Sequence, residues 1–162
     1  MKILVLIAML FAIGFSTILP EGEYQISCKF NNKVLDIEKS GKNDGANLII
    51  YSWKSGSNQK FYLKHFEGEW VTLVAKHSNK ALAVTGKTAG TGYQQATNTE
   101  SPQQLFRISR TSDGYYLIKN FATGYVLNCN SDAKSAINNR LAVQQGRDCS
   151  DAQKFVFTRL DI

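Results

Sequence analysis

The chain has 162 residues, 43% hydrophobic and 20% charged, with a formal net charge of +6 at pH 7. That length accommodates one domain with a real core once a targeting segment is set aside. The basic residues are scattered and do not alternate with aromatics, which argues against nucleic acid as a partner and leaves solubility, or a leaning toward acidic glycans and anionic surfaces, as the meaning of the charge.

After Met1 and a lone basic residue, Lys2, the chain runs almost entirely apolar from Ile3 to Leu19 before Pro20 and the polar Glu21. Gly14 and Ser16 are small residues at the spacing a signal peptidase reads, so residues 1–16 are expected to be a signal peptide and residues 17–162 the mature, secreted domain. An uncleaved anchor is the competing reading, because seventeen apolar residues sit at the short edge of a membrane span. Cleavage removes Lys2, lowers the net charge from +6 to +5 and leaves no expected membrane span. Three cysteines, Cys28, Cys129 and Cys149, suit an oxidising compartment, with one pair and one left over. No N-x-[ST] sequon occurs.

From Tyr24 onward, short aromatic and β-branched runs alternate with Asn, Gly, Ser and Lys clusters, without sustained helical periodicity. Three tripeptides share the pattern Q-x-F: Gln59-Lys60-Phe61, Gln104-Leu105-Phe106 and Gln153-Lys154-Phe155, spaced by 45 and then 49 residues. Tyr24, Val71 and Tyr116 keep a similar register, followed two residues later by Ile26, Leu73 and Ile118 and ten residues later by Val34-Leu35, Ala81-Leu82 and Val126-Leu127. The chain therefore divides into three repeats at about 24–69, 70–114 and 115–162. Each predicts about four short strands, too few to fold alone, and a closed threefold barrel removes the exposed sheet edges.

Three Q-x-[WF] motifs, one near the end of each repeat, resemble the ricin B-type β-trefoil lectins over essentially all of Tyr24 to Leu160. The resemblance implies an all-β trefoil of three four-strand repeats that binds carbohydrate, with galactose or N-acetylgalactosamine as the default sugar and no catalytic activity or cofactor. It also implies that the sugar site in each repeat takes an Asp after the Val-Leu pair, an aromatic at the end of the third strand, and an Asn before the motif Gln. The chemistry suits the set. A carboxylate accepts from two adjacent hydroxyls, an aromatic face covers the apolar face of a pyranose, and an amide offers both a donor and an acceptor.

Only the first repeat has all of these: Asp36, Tyr51 and Asn58, with Gln59 bracing the carboxylate. Taken singly each has a plainer reading: Asp36 as a turn carboxylate, Tyr51 as a barrel cap with Trp53 as the stacking ring, Asn58 as a turn residue. The second repeat has Ala83 and Ala96 at the Asp and aromatic positions and is expected to be inactive. The third has Asn128 for the Asp, Ala152 for the Asn, and Gln144 or Gln145 for the aromatic. Gln59, Gln104 and Gln153, with Phe61, Phe106 and Phe155, recur in all three repeats and read as structural. The resemblance further implies a disulfide between Cys129 and Cys149 within the third repeat, leaving Cys28 as a small, partly buried free thiol.

Other patterns carry less. Asp36-x-Glu38-x-Ser40-Gly41 imitates the start of an EF-hand loop, but Asn47 stands where a bidentate Glu is needed. His65 and His77 lack the companions of a zinc site, and Gly86-Lys87-Thr88 lacks the upstream glycine of a P-loop. Two rivals to a lectin remain: an interaction module whose sugar site is vestigial, and the binding subunit of a toxin or glycosidase.

Overall fold

The computed structural model describes residues 19–129 and 140–162, so the expected signal peptide over residues 1–16 lies outside the described residues. The first unit supplies β1 (Gly22–Cys28), β2 (Val34–Ile37), β3 (Leu48–Tyr51) and β4 (Phe61–His65). The second supplies β5 (Trp70–Ala75), β6 (Ala81–Val84), β7 (Tyr93–Ala96) and β8 (Phe106–Arg110). The third supplies β9 (Tyr116–Asn120), β10 (Val126–Asn128), the short β11 (Arg140–Leu141), β12 (Val143–Gln145) and β13 (Phe155–Arg159).

Six strands close a barrel by antiparallel pairing in the order β1, β4, β5, β8, β9, β13 and back to β1. Six of the other strands form three hairpins, β2–β3, β6–β7 and β10–β12, one per unit. The hairpins join in a ring: Asn47 bridges to Gln94, Gly92 bridges to Val143, and β11 pairs with β3. The molecule is a β-trefoil, and closure removes the sheet edges that separate repeats would expose.

The repeated residues make the core. Phe61, Phe106 and Phe155 begin the last strand of each unit and are fully buried, as are Ile26, Leu73 and Ile118 from the first strands. Where the hairpins close over the barrel, Leu48, Tyr93 and Ala142 occupy corresponding places, and their unequal volumes show how an imperfect threefold still fills its interior. Burial pushes the Tyr93 phenol well above its ordinary pKa.

The disulfide differs from expectation. Cys28 pairs with Cys129, across 101 residues and a Cα–Cα distance of 6.6 Å, while Cys149 is a free, exposed thiol. The implied Cys129–Cys149 bridge and the free Cys28 are both corrected. Cys28 ends β1 opposite Phe155, at the base of the turn Asp151–Gln153. Cys129, just past β10, donates its backbone N–H to the Ala152 carbonyl of that same turn, 2.8 Å away. The turn thus brings both thiols into the core, so that the bond stitches the first unit to the third.

Candidate functional site

In each unit the motif Gln lies in a single 3-10 turn, Ser57–Gln59, Pro102–Gln104 or Asp151–Gln153, and is buried. Its amide clips the preceding loop at two points. Gln59 Nε2 donates to the Ser52 carbonyl at 2.9 Å, and its Oε1 accepts from the Lys54 N–H at 2.7 Å. Gln104 does the same with Thr97 and Thr99 (2.8 and 2.9 Å), and Gln153 with Gly146 and Asp148 (2.7 and 2.9 Å). This threefold repetition explains the motif: a buried amide satisfies itself while fixing the loop that ends each hairpin.

The first unit adds a carboxylate. Strand β2 pairs Val34 with Tyr51 and Asp36 with Ile49, so Asp36 and Tyr51 share one face of the hairpin. Gln59 Nε2 donates to Asp36 Oδ2 at 2.6 Å, and Asn58 Nδ2 donates to Asp36 Oδ1 at 2.9 Å and to the Ile37 carbonyl at 3.1 Å. Asp36 is only 5% exposed. Burial pushes its carboxyl above the usual carboxylate range, against the amide bonds from Gln59 and Asn58 and the nearby His77. A carboxylate has about four lone-pair positions, so one acceptor direction remains on each oxygen.

Asp36, Tyr51, Asn58 and Gln59 border one open hollow of about 280 Å³, completed by Lys39, Ser40, Ile49 and Lys54. All four residues expected of a sugar site therefore meet. Trp53, the alternative stacking ring, is not part of its lining. One detail is corrected: both Asn58 N–H groups are committed to Asp36 and Ile37, so the side chain offers its carbonyl oxygen and no donor.

The matched positions elsewhere do not reproduce this arrangement. Strand pairing places Ala83 where Asp36 stands and Ala96 where Tyr51 stands. In the third unit Asn128 and Gln145 take those places, which resolves the choice between Gln144 and Gln145. Gln144 instead matches Ile50, and its buried amide donates to the carbonyls of Gly86 and Thr88 in the second unit at 2.9 and 2.7 Å.

Three contributors escaped sequence reasoning. A Cβ on Gly56 would fall 2.5 Å from Asn58 Oδ1, so the glycine keeps room for the amide. Its φ of −64° is ordinary, so the requirement is one of space. Gln95, fully buried in the second unit, donates to the carbonyls of Gly41 and Asn43 at 2.7 and 2.8 Å. His77 reaches the same Gly41 carbonyl through Nε2 at 2.7 Å, which makes Nε2 the protonated nitrogen. Together they hold the turn after β2, in which Lys39 and Ser40 adopt left-handed φ values of 54° and 52°. Such residues cost about 1–2 kcal/mol each and persist where neighbours over-determine them. The one trace of this clamp in the sequence is Gln95 standing in its repeat where the first repeat has the apolar Ile50.

With this geometry in hand, the sequence pattern of the ricin-type β-trefoil lectin-like domain matches residues 15–98, more than half of the chain. The chain belongs to that family. No curated protein matches by sequence. Among solved structures, this ricin-type trefoil is similar to ThreeFoil, a designed threefold-symmetric protein, at 28% identity and TM-score 0.82, covering 86% of this chain and 99% of that one. It is similar to the exo-β-1,3-galactanase of Clostridium thermocellum at 21% identity and TM-score 0.80, covering 88% of this chain and 31% of the enzyme. The C-terminal half of the earthworm R-type lectin, solved with GalNAc, superposes at 19% identity and TM-score 0.67, covering 87% of this chain and all of that one. The solved structures agree with the trefoil fold, and membership in the ricin-type lectin-like family supports a carbohydrate-binding role.

Proposed function

We propose that this protein is a secreted, non-enzymatic lectin that takes a terminal galactose-type sugar at one site, the hollow in the first unit. The observation that carries the reading is the convergence of Asp36, Tyr51 and Asn58 in one of three equivalent hairpins, with the loop clip beneath it present in all three. Asp36 accepts from two adjacent hydroxyls, Asn58 Oδ1 accepts from a third, and the Tyr51 ring covers the apolar face of the pyranose. The GalNAc in the earthworm lectin supports the sugar class. Among the described residues a single carboxyl lines the hollow, whereas most glycoside hydrolases flank the scissile bond with two, which favours binding over hydrolysis. The buried Cys28–Cys129 bond supports an oxidising destination, and N-terminal sequencing of secreted material is expected to begin near Thr17.

Calorimetry with lactose and N-acetylgalactosamine is expected to give one weak site per chain, abolished by Asp36→Ala. Absence of binding across a glycan array would refute the lectin reading and favour an interaction module. A second reading comes from the galactanase, of which this fold spans 31%: the trefoil serves as the sugar-binding part of a larger assembly. Co-purification of a glycosidase or toxin chain from the native source is the observation that would establish it.

A further inference from the structure

The hollow carries two cations that hydroxyl recognition does not use. Lys39 enters it from the turn after β2 and Lys54 from the segment after β3. Both are exposed, and among the described residues neither ammonium lies within ion-pair distance of a carboxylate. The neighbouring acid, Glu38, instead accepts from Asn47 Nδ2 at 3.0 Å. Among the described residues Asp36 is the one carboxylate lining the hollow, already bonded to two amides, so two lysines line it against a single acid.

The backbone under Lys39 is the second observation. Lys39 and Ser40 are consecutive left-handed residues, and at the corresponding place in the second unit neither Gly86 nor Lys87 has a positive φ. Glycine would adopt the Lys39 conformation at the least steric cost. A long cationic side chain stands there instead, on a turn clamped by His77 and Gln95 from the next unit.

We infer that the site selects a galactose-type sugar bearing an anionic substituent, a carboxylate or a sulfate, held at the rim by Lys39 and Lys54 while Asp36 takes the hydroxyls. This rests on the proposed sugar site. A compact ammonium suits such a group because it donates from several directions and needs no fixed bidentate geometry. The charge preference also orients the ligand, since an anion placed over Asp36 is repelled and one at the rim is attracted.

The test is calorimetry on the mature protein with lactose, sulfated lactose and sialyllactose, at 50 and 500 mM salt. At least one acidic sugar is expected to bind about fivefold tighter than lactose at low salt, with the advantage shrinking at high salt. Which of the two does so identifies the substituent. In Lys39→Gln/Lys54→Gln the advantage is expected to vanish with lactose affinity unchanged. Lys39→Gly is expected to melt at or above the wild-type temperature yet lose part of the advantage, which a merely structural lysine would not do. Equal affinity for all three sugars, or a preference that survives the double substitution, overturns this inference and leaves the lectin reading standing. If none of the three binds, both fall together.

Discussion

The first and second units share a backbone plan and differ in what their hairpins hold. Both bury a motif Gln that clips its loop at two backbone positions with nearly equal bond lengths. Only in the first does that Gln also meet a carboxylate, because the residue two after the start of β2 is Asp36 and its counterpart in β6 is Ala83. The second unit turns its polar side chains toward structure: Gln95 braces the first unit's loop, where the matching residue of the first unit is the apolar Ile50. One repeat can hold a candidate site because a neighbouring repeat, free of that duty, holds its walls.

The largest expected effect falls on the tie between units. Cys28→Ser opens a loop of about 100 residues, for which chain-entropy reasoning gives about 4–5 kcal/mol, and urea unfolding should show a loss of that order. Peptide mapping without reduction should recover Cys28 joined to Cys129, and Cys149 alone should react with an alkylating agent. A bridge involving Cys149 would contradict this arrangement.

Next comes the site. Asp36→Ala removes a charged acceptor worth about 1.5–3 kcal/mol, roughly 10- to 150-fold in sugar affinity by calorimetry, whereas Asn128→Ala should bind like the wild type. The reverse pattern would place the site in the third unit. Gln104→Ala leaves the Thr97 carbonyl and the Thr99 N–H without their clip and should cost about 1–3 kcal/mol of stability with affinity unchanged.

Titration separates site from fold in a different way. Burial raises the Asp36 pKa, so the neutral form is the one the fold prefers. Its contribution to stability is present below the unfolded pKa of about 3.9 and is lost as pH rises through the higher folded value. Binding runs the other way, because the hydroxyls need the ionised carboxylate. Sugar affinity measured from pH 7 downward should therefore fall with a midpoint above 3.9, while Asp36→Asn should show no such transition. The smallest effect is expected from Gly56→Ala. The new methyl displaces Asn58 Oδ1, and as the side chain rotates away at the loss of its bonds to Asp36 and Ile37 binding should weaken a few-fold and stability fall by about 1 kcal/mol.

What the sequence determined by itself was whatever recurs. Three Q-x-F motifs, the apolar first strands and the Val-Leu pairs follow from one repeated folding unit, and a unit too small to bury its own core must close with its copies. The same comparison singled out Asp36, Tyr51 and Asn58, because a residue present in one repeat and absent from the others is not required by the backbone, whereas Gln59 recurs in every repeat and serves the fold as well as the carboxylate. Tertiary structure decided everything that crosses between repeats. Cys28 meets Cys129 because the first and last strands of the chain are neighbours in the barrel, a proximity that comparison within a unit does not reveal. Gln95 and His77 reach Gly41 because the hairpins form a ring, and Gly56 matters only once the Asn58 side chain has a direction. Local pattern reports which side chains a unit needs; the closure of the barrel sets which units touch, and with it the disulfide, the clamp and the donors left to a ligand.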